Sequence, residues 1–178
     1  MFMKIIIGLT FLIILGACNN QSDIISDAKK VYDSREELIR EFNSITIWRR
    51  GDSAFLLQVY NDKKTNGYLF RGDNGLKLQS DTASFQLNEI ERFKNIDTLD
   101  QVNAIGDLLT TLLNKMNALE IREVSSDDKA LGIDLKFFLN SGGVVFYVKD
   151  LSSVINVEWQ KYIKGSKMMD EHWYYNER

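Results

Sequence analysis

The sequence contains no proline, one cysteine and one histidine among its 178 residues. A single cysteine excludes an internal disulfide and any multi-cysteine zinc site. A single histidine excludes metal centres that need several imidazole ligands. Basic residues are not in excess either, because 22 Lys and Arg stand against 25 Asp and Glu. Nucleic-acid-binding proteins usually carry a basic field or stripe, so we expect no nucleic-acid partner. We also expect no metal and no cofactor.

The overall composition is that of a folded domain. Hydrophobic residues make up 44% of the chain and aromatic residues 11%, which is too apolar for a disordered acidic chain. At this length a single domain with one main core is the default.

The first eighteen residues have the layout of an export signal. Lys4 is the one charged residue before an apolar stretch at 5–15, and polar residues follow Cys18. The apolar stretch is shorter than the ~20 residues that a membrane-spanning helix needs. A cation, a short apolar region and small residues at a cleavage site are typical of a secretory signal peptide.

The end of this signal is more specific. Leu15, Gly16, Ala17 and Cys18 form an aliphatic residue, two small residues and a cysteine. This motif resembles the lipobox of bacterial lipoproteins, and the resemblance covers residues 1–18 only. It implies cleavage before Cys18, a thioether link from Cys18 to diacylglycerol, and a mature chain that begins at Cys18. Two or three acyl chains on that residue would hold the protein stably on a membrane.

The resemblance also implies a location. The protein would lie in the bacterial cell envelope, with its domain outside the cytoplasm. Asn19 follows the cysteine, whereas an Asp there favours retention in the inner membrane of Gram-negative cells, so the outer membrane is favoured in such cells. We therefore divide the chain into a signal peptide (1–17), a lipidated cysteine with a polar tether (18–30) and one domain (31–178).

The first predicted helix runs from about Ser34 to Asn43. Ser34 and Glu37 fit a capping box, and Leu38, Ile39 and Phe42 fall on one helical face. An earlier start stays open, because a rough helical spacing also joins Ile25, Ala28 and Tyr32.

The second predicted helix runs from about Leu99 to Asn117 and follows a capping box at Thr98 and Gln101. Gly106 weakens it by roughly 1 kcal/mol relative to alanine. Its continuous apolar stripe consists of Leu99, Val102, Ile105, Leu109, Leu112, Leu113 and Met116.

Alternating apolar residues between turn signals predict strands in the rest of the chain. The strongest turn signals are Asp73-Asn74-Gly75 and Asn140-Ser141-Gly142-Gly143. A short helix that ends at Gly165 is predicted from the spacing of Trp159, Tyr162 and Ile163. The predicted strands cover 45–48, 53–60, 68–71, 76–80, 119–124, 132–139, 144–149 and 172–175, with a weaker one near Phe85, Leu87 and Ile90.

The order of elements favours an α+β fold. Helix, strands, helix and strands follow one another, hairpin turns dominate, and a regular alternation of strand and helix is missing. We expect a mostly antiparallel β-sheet with two main helices packed on one face, preceded by the cleaved signal peptide.

The aromatic residues near the chain's end are the main binding candidates. Exposed aromatic side chains with a polar rim mark protein interfaces or platforms for sugars. The alternative is that these side chains close the sheet against the helices. The candidate surface consists of Trp159, Tyr162, His172, Trp173, Tyr174 and Tyr175.

Catalytic patterns are weak. The chain has neither a Gly-x-Ser-x-Gly elbow nor a glycine-rich phosphate loop. His172 is the single imidazole, and as a general base it would need an acid and a nucleophile placed around it. Asp170 and Glu171 are close to it in sequence, but neighbouring residues on a strand point to opposite faces. We therefore assign no catalytic residue and expect a protein that is not an enzyme. A hydrolytic enzyme that uses His172 with Asp134 or Asp170 is a further alternative.

Two other patterns have simple interpretations. The carboxylate pairs Glu89/Glu91 and Asp127/Asp128 are interpreted as solvated charge rather than as a glycosidase pair or a cation site. Arg-Gly-Asp occurs at 50–52 and 71–73, and we interpret both copies as turns because Gly and Asp are frequent there. Binding of a host receptor is the alternative.

The sequence therefore predicts a lipid-anchored envelope protein whose domain binds a protein partner in an assembly, inhibitor or immunity-type role. Binding of a small ligand or glycan by the aromatic residues near the chain's end is the alternative.

Overall fold

The computed structural model describes residues 21–60, 65–72, 76–79, 101–126 and 131–177. The helices in these residues are α1 (21–33), α2 (Arg35–Phe42), α3 (Gln101–Ala118) and α4 (Val157–Lys164). The strands are β1 (Ile45–Arg49), β2 (Ala54–Tyr60), β3 (Thr65–Arg71), β4 (Lys77–Leu78), β5 (Ile121–Ser125), β6 (Leu135–Leu139), β7 (Val144–Tyr147), β8 (Lys167–Met168) and β9 (Trp173–Asn176). The protein is therefore α+β, as predicted.

All nine strands belong to one antiparallel sheet with the order β4-β3-β2-β1-β5-β6-β7-β9-β8. Hairpins connect β1 to β2 and β6 to β7, and their registers are continuous. Strands β1 to β4 form one half of the sheet, and strands β5 to β9 form the other. The two halves meet where Ile47 of β1 pairs with Val124 of β5. Since side chains alternate along each strand, the register assigns every strand residue to one of two faces.

The first face of the sheet carries the larger core, against which α1, α2 and α3 pack. Four residues of the stripe predicted on α3 are confirmed as core, since Ile105, Leu109, Leu112 and Met116 are at most 1% exposed. Their spacing of three or four residues places them on one side of the helix. Leu113 is half-buried, and the Leu99 and Val102 side chains lie outside the described part of the chain. On the sheet, this core includes Ile45, Ile47, Leu57, Val59, Tyr68, Phe70, Leu135, Phe137, Leu139, Val145 and Trp173.

Helix α1 corrects the domain boundary. The sequence predicts a polar tether at 18–30, but residues 21–30 are helical. Ile24, Ala28 and Val31 are buried in the larger core at intervals of four and three residues. The side-chain amide of Gln21 also donates to the Glu177 carboxylate at 2.6 Å. Residues 21–30 are therefore part of the folded domain.

An ion-pair cluster joins α2 to α3. The Lys115 ammonium lies 2.5 Å from a Glu37 oxygen and 2.6 Å from a Glu41 oxygen. Burial by itself lowers the pKa of Lys115, but the hydrogen bonds to the two carboxylates outweigh it and raise that pKa above its ordinary value. The hydrogen bond from Lys115 lowers the pKa of Glu37. The capping-box prediction is wrong, because Ser34 makes no side-chain capping bond and Glu37 binds Lys115 instead.

The second face of the sheet carries a smaller core under α4. Ile163 of α4 is fully buried there, together with Val144 and Phe146 of β7 and Tyr174 of β9. The short predicted helix is thus confirmed, and it packs on the face opposite the other three helices. Ile133, which falls within the strand predicted at 132–139, lies before β6 and belongs to this second core.

Candidate functional site

A pocket of about 770 Å³ opens between α4 and strands β6 and β7 on the second face. Its size is within the ~300–1,000 Å³ that is common for small-molecule sites. The lining residues are Lys136, Phe138, Val144, Phe146, Asn156, Glu158, Trp159, Lys161 and Tyr162.

Helix α4 is capped at both of its ends and anchored to the sheet by one buried residue. The Asn156 side-chain oxygen accepts hydrogen bonds from the backbone N–H groups of Glu158 and Trp159, at 2.9 and 3.1 Å. Asparagine is among the preferred N-cap residues because it satisfies these otherwise unbonded donors. At the other end the Gly165 N–H donates to the Lys161 carbonyl, while buried Ile163 anchors the helix to the second core.

Three aromatic rings form one wall of the pocket. Phe146 lies edge-to-face with Tyr162, at 5.7 Å between ring centroids, and 6.1 Å from Trp159. Trp159 and Tyr162 are themselves perpendicular at 5.7 Å. Such edge-to-face pairs stabilise one another beyond the area that they bury. On the opposite side Phe138 contacts Trp48 of β1 at 5.9 Å, which continues the aromatic surface along the sheet.

Lys136 supplies the buried charge of the pocket. Its neighbours Leu135 and Phe137 enter the larger core, so Lys136 projects from the opposite face. The residue is 8% exposed. Its ammonium lies 5.3 Å from the ring centroid of Trp159 and 5.8 Å from that of Phe138. Both distances are within the ~6 Å range of cation–π attraction, which holds the ammonium beside the aromatic wall.

The rim of the pocket combines exposed apolar and polar residues. Ile155 and Val157 flank Asn156 and are 73% and 61% exposed. Glu158 and Lys161 pair at 3.0 Å on the solvent side of α4. Two exposed apolar residues therefore lie next in sequence to the pocket residues Asn156 and Glu158.

The structure brings only part of the predicted aromatic surface together. Trp159 and Tyr162 line the pocket, but Trp173 is 2% exposed and stacks on Phe137 at 6.0 Å in the larger core. Tyr174 is 7% exposed and faces the second core, where its hydroxyl donates to the Glu171 carbonyl. Trp173 and Tyr174 are therefore corrected from binding residues to core residues.

Tyr175 and His172 lie away from the pocket lining. Half-buried Tyr175 packs against the larger core, with the Lys167 ammonium 5.6 Å from its ring centroid. The His172 imidazole lies 3.4 Å from the Glu171 carboxylate.

Asp170 and Asp134, the two possible acid partners of His172, have other roles. Asp170 accepts hydrogen bonds from the N–H groups of His172 and Trp173 and from the hydroxyl of Tyr32. Partial burial raises the pKa of Asp170, but these bonds outweigh burial and lower that pKa below its ordinary value. Asp134 accepts from the Lys149 N–H at 2.9 Å and pairs with its ammonium at 3.6 Å.

The remaining sequence patterns have varied outcomes. The Arg-Gly-Asp copy at 50–52 forms the turn between β1 and β2, where Gly51 has a φ of 125°. In the second copy Arg71 ends β3, and Asp73 lies outside the described residues. Both carboxylate pairs, Glu89/Glu91 and Asp127/Asp128, also lie outside them, as do Thr98 and the weak strand near Phe85.

Two kinds of feature are absent from the described residues, a group of metal ligands and a membrane-spanning helix. No group of three or more His, Cys, Asp or Glu side chains in the described ranges is arranged to hold a metal ion. Among the helices in those same ranges, none is both long and apolar enough to cross a membrane.

Sequence reasoning missed Lys136, Phe138 and Phe146 as pocket residues. Their signal was present in the alternation of β6, which assigns Lys136 and Phe138 to the face opposite Leu135 and Phe137. The sequence pattern does not show where α4 packs. The face of β6 lines a pocket only because α4 lies beside it.

Comparison of this chain with protein-family models, with curated protein sequences and with solved structures finds no match.

Proposed function

We propose that this chain is a lipid-anchored protein of the bacterial cell envelope whose domain binds a protein partner and is not an enzyme. The observation that carries the binding role is the exposed apolar surface of Ile155 and Val157 at the edge of an aromatic pocket. Protein interfaces are rich in aromatic side chains and have polar rims. In this proposal the partner covers Ile155 and Val157 and inserts a side chain between α4 and the sheet.

The proposed anchor would hold the domain near the membrane. Cys18 is three residues before Gln21, where α1 is already helical. Three residues reach at most about 10 Å even when fully extended. A diacylglycerol on Cys18 would therefore keep the domain close to the lipid headgroups, and the partner would be another envelope protein.

The geometry around His172 supports a binding role over hydrolysis. A general base needs a partner that orients its ring and a reacting group within hydrogen-bond reach. The Asp170 carboxylate instead binds two backbone N–H groups and the Tyr32 hydroxyl, which gives it a structural role at the start of β9.

A second candidate function is the binding of a small ligand or glycan. The specific observation that favours it is the pocket itself, whose 770 Å³ exceeds the space that one inserted side chain would fill. Trp159 and Tyr162, two of the aromatic residues singled out from the sequence, form part of its wall.

The test is co-purification of the lipidated full-length protein from native membranes in mild detergent, with identification of bound proteins by mass spectrometry. Val157→Asp places a charge on the proposed surface. Ile25→Asp makes the same kind of change on α1, where Ile25 is 44% exposed on the other side of the sheet. We expect a stoichiometric partner with the wild type and with Ile25→Asp, and its loss with Val157→Asp. A partner retained equally by both variants, or no partner at all, would contradict the proposal.

A further inference from the structure

Helix α1 runs from one end of the sheet to the other. At its start, the Gln21 side chain donates to Glu177, the residue after β9, at 2.6 Å. Near its other end, the Tyr32 ring lies edge-to-face with Trp173, the first residue of β9, and the Tyr32 hydroxyl donates to Asp170 at 2.9 Å. At ~1.5 Å per residue the helix rises by about 16 Å between Gln21 and Tyr32. These contacts fix the direction of α1 relative to the sheet.

The turn between β6 and β7 lies at the same end of the sheet as the start of α1. Asn176 at the end of β9 pairs with Val144, the first residue of β7. A Cβ added to Gly143 would lie 2.6 Å from Cγ2 of Ile24 and 3.2 Å from the Asn176 carbonyl oxygen. The start of α1 therefore packs directly on this turn. We call this end of the domain, formed by Gln21, the turn at 140–143 and Glu177, the anchor end.

We propose that the anchor end rests on the phospholipid headgroups of the membrane, and that α1 directs the opposite end of the sheet into the aqueous phase. The opposite end carries Asp170, Trp173 and its pairing partner Tyr147. The proposal rests on the lipid anchor of the proposed function and does not depend on the protein partner. It adds which surface of the domain the membrane covers.

The length of chain between the proposed anchor and α1 limits where the membrane can lie. Gln21 is three residues after Cys18, and three residues reach at most about 10 Å. The lipid on Cys18 therefore brings the headgroups to the anchor end. The opposite end is about 16 Å further along α1, so it could touch the membrane only if the whole domain lay on its side.

The outer face of α1 disfavours a sideways orientation. A helix that lies along a membrane surface needs a large apolar face turned toward the lipid. In α1 the apolar residues Ile24, Ala28 and Val31 are buried in the larger core instead. Its exposed residues are Gln21, Ser22, Asp23, Ile25, Ser26, Lys29, Lys30 and Asp33, of which Ile25 alone is apolar. The lipid therefore holds the domain at the start of α1 rather than along its length.

The polar groups of the anchor end fit headgroups rather than acyl chains. The Asn140 side chain donates to the Glu120 carboxylate at 3.0 Å, and the Lys167 ammonium pairs with Glu177 at 2.5 Å. Charged groups are costly in the hydrocarbon core of a bilayer, whereas the headgroup region is polar. The acyl chains on Cys18 would supply the insertion, while the anchor end stays among the headgroups.

The experiment measures quenching of a fluorescent label by a nitroxide on the lipid headgroup. The lipidated protein is reconstituted into phosphatidylcholine vesicles that contain a phosphatidylcholine with a nitroxide on its choline group, and into matched vesicles without the nitroxide. Cys18 is the single cysteine of the chain, and its thiol would carry the lipid. An introduced cysteine is then the one thiol that a fluorescent maleimide can label.

Two variants compare the ends of the domain. Asn140→Cys labels the anchor end and Glu171→Cys the opposite end, and both positions are exposed. We expect the nitroxide to cause a large loss of fluorescence at position 140 and little loss at 171. Lys149→Cys, an exposed position beyond β7 at the opposite end, should behave like Glu171→Cys. Equal losses at 140 and 171, or a larger loss at 171 or 149 than at 140, would overturn the proposal.

Asp23→Cys separates failure of the orientation from failure of the anchor. Asp23 is exposed, five residues after Cys18, so the anchor would bring it near the headgroups in either orientation. If Asp23→Cys is quenched while the labels at 140 and 171 lose equal fluorescence, the anchor stands and the orientation is wrong. If none of the labels is quenched, both the anchor and the orientation are wrong.

Discussion

The Lys136 ammonium lies 5.3 Å from the ring centroid of Trp159, so a buried cation of β6 faces an aromatic residue of α4. This relationship defines the pocket, because one residue comes from the sheet and the other from the helix that covers it. Any change that undocks α4 would therefore remove the site without altering the sheet itself. The predictions below concern the anchor, the folded domain and the position of α4.

The proposed anchor makes the first prediction. Cys18→Ser removes the thiol that would carry the diacylglycerol, so we expect no lipid labelling and accumulation of unprocessed precursor in the native host. The check is metabolic labelling with a palmitate analogue, followed by electrophoresis. Ser22→Ala, just beyond the proposed cleavage site, serves as the control and should be labelled normally. Normal processing and unchanged membrane association of Cys18→Ser would show that the chain is not a lipoprotein.

The second prediction concerns α1 as part of the core. Ala28 is 0% exposed, so Ala28→Asp would bury a carboxylate among apolar side chains of the larger core. Burial of an unpaired charge costs several kcal/mol, and we expect a loss of at least about 3 kcal/mol in the free energy of unfolding. Urea denaturation followed by circular dichroism measures it. Lys29→Asp, one residue further along and exposed, should change stability by less than about 1 kcal/mol.

If the two variants were equally stable, residues 21–30 would behave as the tether that the sequence analysis expected. Their buried contacts would then contribute little to the fold.

The third prediction compares two glycines. Gly132 has a φ of 85°, and a Cβ there would lie 2.4 Å from the Ser153 carbonyl oxygen, in the segment that leads to α4. Gly132→Ala should therefore destabilise the protein and shift α4. Gly106 is inside α3, and no described atom lies within 4 Å of its Cβ position. Gly106→Ala should stabilise by about 0.5–1 kcal/mol through helix propensity.

Thermal unfolding of both glycine variants provides the measurement, and Trp fluorescence reports on the three tryptophans, of which Trp159 lies on α4. A Gly132→Ala protein with unchanged stability and fluorescence would contradict the close approach of these two segments.

The fourth prediction is a pH window for the cluster that joins α2 to α3. The pKa of Glu37 is lower in the folded state, so its contribution is present above its unfolded pKa, near ~4.3, and is lost as pH falls through the folded pKa. The pKa of Lys115 is raised, so its contribution is present below its unfolded pKa, near ~10.4, and is lost as pH rises through the folded pKa.

Stability should therefore be highest between these limits, and Lys115→Met should flatten both edges. Unfolding midpoints measured from pH 3 to 11 give the profile, an interval chosen to span both ordinary pKa values. Lys161→Met, which breaks an exposed pair on α4, is the control and should leave the profile nearly unchanged. A wild-type profile that matches that of Lys115→Met would contradict the coupling of α2 to α3 through this cluster.

Much of the fold could be predicted from local patterns. Apolar residues at helical spacing located α3, and alternation with turn signals located β6, β7 and the hairpin between them, where Gly142 has a φ of 97°. These elements depend on interactions between residues that are close in sequence. The two-residue strand β8 was not predicted, because it forms only by pairing with β9.

The site was less accessible to sequence reasoning because it depends on contacts between distant segments. Trp173 and Tyr174 read as a candidate surface, yet α1 covers one face of β9 and the second core covers the other. Tyr32 of α1, for example, lies edge-to-face with Trp173 at 6.3 Å. The sequence predicts a tether at 18–30 because this segment begins with polar residues like a linker, and the buried residues of α1 are recognisable only once the sheet is known.

The most direct test of the central claim places a photoreactive phenylalanine analogue at Val157 of the full-length protein in living cells. The proposal that a protein partner covers this surface predicts one discrete cross-linked product after irradiation. The same analogue at Ile25, on the other side of the sheet, should not form that product. A lack of any adduct at position 157, or the same adducts at both positions, would contradict the account.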